Sequence, residues 1–155
     1  MIRLMQANDV NTVFNIEKQV QVKPWSQKQF AEAVEQYVST VIEINGQVSG
    51  FCILQPVLDE ANLLLMAIDP KYQGQGLGYK LLNQSLNLLE NDPVQIFLEV
   101  RQSNIHAIKL YEKSDFHQID LRKNYYPNLD GTKEHAVIMV KACSDDFSKL
   151  FKASV

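Results

Sequence analysis

The chain has 155 residues, of which 46% are apolar and 21% are charged, and its formal net charge is −3. This composition predicts one globular domain with its own core and excludes the low-hydrophobicity, high-charge signature of disorder. The mildly acidic balance, without a basic run, argues against a nucleic-acid partner. Two cysteines and three scattered histidines exclude a disulfide framework, and we expect no metal site.

The N-terminal sequence predicts a protein that is neither exported nor held in a membrane. Arg3 and Asp9 interrupt the first ten residues, which lack the apolar core of a signal peptide. No apolar run elsewhere reaches membrane-spanning length. We therefore expect a cytoplasmic protein in a reducing compartment, with no membrane partner.

Two helices are predicted near the N-terminus, after a short strand at residues 2–4. Asn8 or Asp9 can cap the first helix, because short polar side chains accept hydrogen bonds from first-turn amides. Ser26 is followed three residues later by Gln29, which is the pattern of a capping box. The second helix is therefore expected to begin directly after Ser26.

The middle of the chain predicts a hairpin followed by a central strand. The apolar and β-branched runs 37–44 and 47–54 are joined by Asn45-Gly46, which is typical of a type I′ hairpin turn. After a turn at Asp59-Glu60, the run 63–68 is apolar throughout. Such a run predicts a strand buried on both faces.

The second half predicts two more helices and three more strands. A glycine-rich loop at 73–78 should open a helix that ends near residue 91. The remaining predictions, in chain order, are a strand at 94–100, a helix at 104–114, a strand at 116–121, a loop through Tyr125, Tyr126 and Pro127, and a strand at 136–140. The whole is expected to be a mixed α/β sheet protein over residues 1–143, with helices on both faces and a peripheral tail at 144–155.

The glycine-rich loop predicts a phosphate site. Gly74, Gly76 and Gly78 stand where a strand gives way to a helix, so several backbone N–H groups can point at one anion. A Walker A loop would end in Gly-Lys-Ser/Thr, which is missing, and a Rossmann fingerprint would need glycine or alanine where Tyr79 stands. The Rossmann alternative stays open because Glu99 lies near the position of a ribose-binding acid.

The same loop matches the Gln/Arg-x-x-Gly-x-Gly/Ala signature of the GNAT superfamily at Gln73, Gly76 and Gly78. The chain resembles GNAT acetyltransferases over nearly its whole length, and within them the RimI-type ribosomal-protein-alanine N-acetyltransferases. Further segments that carry the resemblance include Pro24-Trp25-Ser26, residues 57–61, residues 98–101, Leu110-Tyr111-Glu112 and residues 124–127.

The resemblance implies a GNAT fold with a mostly antiparallel sheet, and acetyl-coenzyme A as co-substrate. It implies direct attack in a ternary complex by the N-terminal alanine of small-subunit ribosomal protein number eighteen. Separately, we expect a monomer or weak dimer. The resemblance implies that the backbone of Met66, Ala67 and Ile68 holds the pantetheine arm. It implies that the pyrophosphate is held by Gln73, Gly74, Gln75, Gly76, Leu77, Gly78 and Tyr79, and that Asn104 contacts the cofactor further along.

Two positions depart from the family pattern. Position 115, usually glycine, is Asp115, and we expect local strain there if the backbone is left-handed. Position 74, often basic in relatives, is Gly74 and brings no charge to the pyrophosphate.

Glu99 and Tyr111 are the candidate catalytic residues. Acetyl transfer to an amine needs a base for the amine, stabilisation of the oxyanion and a proton for the departing thiolate. Glu99 ends a mostly apolar strand, an environment expected to suit a base at neutral pH, and the resemblance favours that role over a solvated acid. Tyr111 lies seven residues after Asn104, hence on the same helix face, and is the expected general acid. The alternative is a core tyrosine.

The resemblance places Trp25, Tyr125 and Tyr126 at the acceptor groove. Asp59 and Glu60 could attract an amino terminus or form a hydrated turn. Because cofactor motifs say little about the amine, a lysine side chain or a small amine is an alternative acceptor. A non-catalytic acyl-coenzyme A-binding module is the second alternative.

Overall fold

The computed structural model describes residues 1–143, and the predicted tail at 144–155 lies outside the described residues. Within that range the chain forms seven strands and four α-helices. In chain order they are β1 (Ile2–Leu4), a 3-10 turn (Ala7–Asp9), α1 (Val10–Val20), α2 (Gln27–Gln36), β2 (Val38–Ile44), β3 (Gln47–Val57), β4 (Glu60–Ile68), a 3-10 turn (Pro70–Tyr72), α3 (Leu77–Leu86), β5 (Gln95–Arg101), α4 (Ile105–Lys113), β6 (His117–Pro127) and β7 (Lys133–Ala142).

The strands form one sheet in the order β1-β2-β3-β4-β5-β7-β6. The pairs β1–β2, β2–β3, β5–β7 and β6–β7 are antiparallel, and β4–β5 is parallel. The prediction of a mixed, mostly antiparallel sheet is therefore confirmed.

One compact unit comprises residues 1–55 and 64–89. Its core joins α1 and α2 to β2, β3 and the end of β4, through buried residues that include Val13, Ile16, Phe30, Phe51 and Ala67. The rings of Trp25 and Phe30 lie 5.4 Å apart, and those of Phe30 and Phe51 lie 5.3 Å apart.

The predicted start of the second helix and the hairpin are both confirmed. Ser26 Oγ accepts from Gln29 N, and Gln29 Oε1 accepts from Ser26 N, which completes the capping box of α2. Asn45 and Gly46 have φ values of +52° and +77°, as a type I′ turn requires. The prediction for the first helix is wrong in detail. Asp9 makes no side-chain cap on α1 and instead accepts from Gln6 N.

The glycine-loop helix is shorter than predicted. α3 ends at Leu86 rather than near residue 91, and its buried residues are Leu81, Leu82 and Ser85. Leu88 lies beyond the helix and is 42% exposed. The leucine repeat misled the prediction because Leu88 and Leu89 continue the apolar spacing past the point where the helix ends.

Among the described residues, the second compact unit comprises residues 56–63 and 90–143. Its β4 residues pair in parallel with β5 from Glu60–Gln95 to Leu63–Leu98, and β7 pairs with both β5 and β6. The predicted loop through Tyr125, Tyr126 and Pro127 is wrong, because all three belong to β6. Tyr126 and Pro127 pair there with Glu134 and Lys133 of β7.

The end of α4 meets the condition under which strain was expected at position 115, because the backbone there is left-handed. Phe116 N donates to Tyr111 O, and Asp115 N donates to Glu112 O, which is the hydrogen-bond pattern of a Schellman motif. Asp115 has a φ of +68°. The chain therefore places an aspartate where glycine would have no steric cost.

Candidate active site

The candidate cofactor loop is attached directly to the end of β4. Gln73 Nε2 donates to Ile68 O at 3.0 Å, and Asp69 N donates to Ser49 O of β3 at 2.7 Å. A Cβ on Gly50 would stand 2.9 Å from Ala67 O, so this β3 position must be glycine for the two strands to approach. Sequence reasoning missed Gly50, whose requirement appears only with the strand register.

The loop provides a backbone surface that can cradle an anion. Gly74 and Gly76 have φ values of +79° and +77°, and a Cβ on either would meet nothing within 4 Å. Gly76 is the N-cap of α3, and no side chain caps that end of the helix. The amides of the first turn, together with the helix dipole, can therefore face a ligand phosphate. The exposed loop thus fits the pyrophosphate predicted for it.

Glu99 is exposed on β5, unlike the apolar setting expected from its neighbours. Successive strand residues point to opposite faces, so buried Leu98 and Val100 turn away from the Glu99 carboxylate. Arg122 Nη1 lies 2.9 Å from Glu99 Oε1. The expectation of an apolar surrounding is therefore wrong, whereas the role of Glu99 as a base stays a prediction.

Sequence reasoning also missed Arg122, because its position depends on strand register. Glu99 and Asp120 both pair with Ile138, which lies on the strand between them. Arg122 lies two residues after Asp120, hence on the same face as Glu99. No local pattern in the sequence predicts this juxtaposition.

Tyr125 and Tyr126 meet edge to face, with ring centroids 5.2 Å apart. A bulge places them there: the register shifts between Arg122 and Tyr126, and Asn124 adopts a φ of +53° with its N–H donating to His135 Nδ1. Burial, followed by the Glu99 carboxylate, raises the pKa of Tyr126 to about 12. The structure thus brings both predicted groove tyrosines together with Glu99.

Arg101 anchors the other side of this tyrosine pair. Its guanidinium carbon lies 4.6 Å from the Tyr126 ring centroid, and Nη2 donates to Pro127 O at 3.0 Å. Arg122 lies 5.4 Å from the Tyr125 centroid. Two arginines therefore flank the pair, and planar guanidinium groups favour such stacking.

Tyr111 lies within α4, whereas Asn104 immediately precedes that helix. Tyr111 is buried, and its ring lies 6.0 Å from that of Phe116. Asn104 is the N-cap of α4, and its Oδ1 accepts from Ala107 N at 3.3 Å. Each residue thus has a structural contact, and their catalytic and cofactor roles stay predictions.

Asp59 and Glu60 lie at the opposite end of β5 from Glu99. Glu60 is in register with Gln95, whose side chain donates to the Glu60 carboxylate. Glu99 lies four positions after Gln95, which is about 13 Å along the strand. Their role in attracting an amino terminus also stays a prediction.

Trp25 is half-buried at the entry to α2 and packs on Phe30. Glu17 of α1 accepts from Trp25 N through Oε2 at 3.1 Å. Sequence reasoning gave Glu17 no role. A charged residue among the apolar positions of an amphipathic helix was the available signal.

In residues 1–143, no group of three or more histidines, cysteines or acidic residues is placed to hold a metal ion. No helix in the same range has the length and apolar character needed to cross a membrane.

The family model described as "Acetyltransferase (GNAT) family" matches residues 10–116, which include β4, the glycine loop, Glu99 and Tyr111. The chain belongs to the GNAT acetyltransferase family. This match confirms the predicted enzyme class. The glycine loop, with its exposed backbone amides, is the feature of this chain that suits a phosphate-bearing acyl donor.

Similar proteins show which GNAT enzymes this chain resembles. It is 43% identical over 140 residues, 89% of this chain and 94% of that protein, to the "[Ribosomal protein bS18]-alanine N-acetyltransferase" of Escherichia coli strain K12. A protein of the same name from Haemophilus influenzae is 43% identical over 141 residues, 90% of this chain and 96% of its own.

Solved structures agree with the fold. The crystal structure of the ribosomal-protein-S18-alanine N-acetyltransferase from Escherichia coli matches with a TM-score of 0.85 and 40% identity, covering 94% of this chain and 95% of that one. Ard1 from Thermoplasma volcanium matches with a TM-score of 0.82 and 26% identity, covering 94% of this chain and 98% of its own.

Proposed function

We propose that this protein transfers the acetyl group of acetyl-coenzyme A to the α-amino group of an N-terminal alanine, that of ribosomal protein bS18. The observation that carries the proposal is the 43% identity to a bS18-alanine N-acetyltransferase over 94% of that relative's length. A ribosomal acceptor would place the activity in the cytoplasm. A monomer or weak dimer is a separate part of the proposal.

The open glycine loop supports acetyl-coenzyme A as the donor. Residues 73–79 would hold the pyrophosphate with backbone amides, and the backbone of Met66, Ala67 and Ile68 would hold the pantetheine arm. When bound, acetyl-coenzyme A supplies an acetyl carbon that bonds to the amine nitrogen as its bond to sulfur breaks. In this scheme Asn104 contacts the cofactor and caps α4 as well.

Two side chains would handle the protons. Glu99 would take the proton that the amine nitrogen loses, directly or through water, since its carboxylate is exposed. The Tyr111 hydroxyl would hold the proton that ends on the sulfur. The acceptor backbone would lie along Trp25, Tyr125 and Tyr126, with Asp59 and Glu60 available to a more distant part of the acceptor.

The ion pair with Arg122 does not prevent Glu99 from acting as a base. The Arg122 and Glu99 side chains are 52% and 34% exposed, and ion pairs at such positions contribute about 0–1 kcal/mol. A loss of that size is small beside the binding energy of an acceptor peptide. Arg122 can therefore leave Glu99 when an amine arrives.

The test offers the purified protein a short peptide with the bS18 N-terminal alanine, and its N-terminally blocked copy containing lysine. Acetyl transfer is followed by thiol release and by mass. We expect acetylation of the free α-amine alone. Transfer to the blocked copy would favour a lysine or small-amine acceptor, and cofactor binding without any transfer would favour the acyl-coenzyme A-binding module.

A further inference from the structure

The first compact unit contains a buried carboxyl group, that of Glu17, and in the described part of the chain only one of its two oxygens makes a hydrogen bond. The Glu17 side chain on α1 is fully buried, at 0% exposure. Oε2 accepts from Trp25 N at 3.1 Å, whereas Oε1 has no hydrogen-bond partner among the described residues. Buried acidic residues are normally paired, so this arrangement requires a physical reason.

The hydrogen bond from Trp25 N to Glu17 lies where the chain enters α2. Trp25 immediately precedes Ser26, the N-cap of that helix, and its ring packs on Phe30. Trp25 and Ala67 of β4 belong to the same apolar cluster. The hydrogen bond from Trp25 N therefore fixes the backbone from which an expected acceptor-contacting ring projects.

Glu17 owes its charge state to burial. Desolvation raises the pKa of Glu17 from 4.5 to about 7, against a smaller lowering by the Trp25 N–H. No charged side chain contributes to this shift. The titratable and charged residues on α1, on the elements packed against it and on the α1–α2 link are Asp9 and Glu43, both paired with Arg3, and Lys18, Lys23, Lys28, Glu32, Glu35, Tyr37, Lys71 and Tyr72.

We propose that Glu17 is a positioning residue of the acceptor site, whose buried carboxyl holds the Trp25 backbone and thereby sets the place of the Trp25 ring. The inference rests on the proposed function, because only an acceptor at Trp25 gives the contact a catalytic consequence. Glu17 acts through Trp25 and does not touch the acceptor.

A proton on Glu17 stabilises this arrangement. The pKa in the folded chain is above its ordinary value, so the stabilisation is fully present below pH 4.5 and is lost as pH rises through about 7. Ionisation leaves Oε1 as a buried, unpaired charge, which favours any arrangement that lets water reach it. Acceptor binding should therefore weaken over that pH range.

Trp25 is the only tryptophan in the chain, so its fluorescence reports on this contact directly. The experiment titrates tryptophan fluorescence and the KM for the alanine peptide in wild type, Glu17→Gln, Glu17→Met and the exposed control Glu35→Gln. Gln keeps an acceptor for Trp25 N without titrating, and Met keeps the volume but removes the acceptor. We expect a fluorescence midpoint near pH 7 in wild type and Glu35→Gln, and none in either Glu17 variant.

We also compare KM values as a ratio, that of wild type divided by that of Glu17→Gln. This ratio should rise several-fold between about pH 5 and about pH 7, and titration of a single group limits the rise to about tenfold per pH unit. Glu17→Met should have a raised KM at every pH, with kcat unchanged. A fluorescence midpoint that persists in both Glu17 variants would overturn the proposal, as would a KM ratio independent of pH. If no amine is acetylated, the acceptor role falls with the proposed function, while the fluorescence still decides the contact.

Discussion

Two regions of the molecule carry the proposed chemistry, and they are built in different ways. The candidate cofactor loop at residues 73–79 is built from backbone: amides would face the bound anion, and its left-handed turns occur at glycine. The cluster of Glu99, Arg122 and the two tyrosines is built from side chains on β5 and β6. Damage to the first should weaken cofactor binding, and damage to the second should slow the chemistry.

The largest effect is expected from the side-chain region. Glu99→Gln keeps the size of the side chain but removes the base, so kcat should fall by about 10²-fold or more. The KM for acetyl-coenzyme A should be unchanged, as should the activity of the exposed control Glu112→Gln. Steady-state kinetics with both substrates measure this, and a wild-type kcat in Glu99→Gln would exclude Glu99 as the base.

A smaller effect on kcat is expected at Tyr111. Tyr111→Phe keeps the ring contact with Phe116 and removes the hydroxyl. A thiol ionises near pH 8.5, so the thiolate can leave without full protonation, and kcat should fall only on the order of tenfold. Single-turnover acetylation measures the step, with Tyr37→Phe as the matched control. An unaltered rate would leave Tyr111 as a core residue.

The sequence predicts the two regions unequally, for a physical reason. The loop is contiguous, so the spacing of its glycines predicts a turn into α3, and Gly74 and Gly76 do adopt left-handed conformations there, whereas the pyrophosphate stays a prediction. The setting of Glu99 was mispredicted because the chain neighbours of a strand residue face the other way. Arg122 approaches Glu99 only through the register across β7, and the tyrosines are placed by a bulge that no turn motif announces.

The backbone region gives the next prediction. Gly76→Ala adds a Cβ at a φ of +77°, a strain of about 1 kcal/mol that should shift the loop and raise the KM for acetyl-coenzyme A about fivefold. Gly46→Ala is a close control, because its φ is also +77° and its Cβ also meets open space, but it lies in the β2–β3 hairpin. It should lower stability and leave the KM unchanged. Equal KM values in both variants would mean that residue 76 does not hold the cofactor.

The smallest effect is expected just after the helix that carries Tyr111, where Asp115 occupies a left-handed position of the kind that the loop fills with glycine. Asp115 has a φ of +68°, and its pair with Lys141 is weak, at 3.8 Å with the aspartate side chain 84% exposed. Asp115→Gly removes the steric strain but gives the unfolded chain more freedom, so the free energy of unfolding should rise by only about 0.5–1 kcal/mol. Urea unfolding measures this as a higher midpoint at an unchanged slope.

Asp115→Ala is the control for that prediction, because it also loses the pair with Lys141 but keeps a Cβ at the left-handed position. It should be no more stable than wild type. If Gly and Ala behaved alike, the ion pair rather than the backbone would determine stability at this position. If only Asp115→Gly raised the free energy of unfolding, and kcat stayed unchanged, the helix that carries Tyr111 would be shown to tolerate strain at its end. The glycine loop avoids the same strain because glycine occupies its left-handed positions.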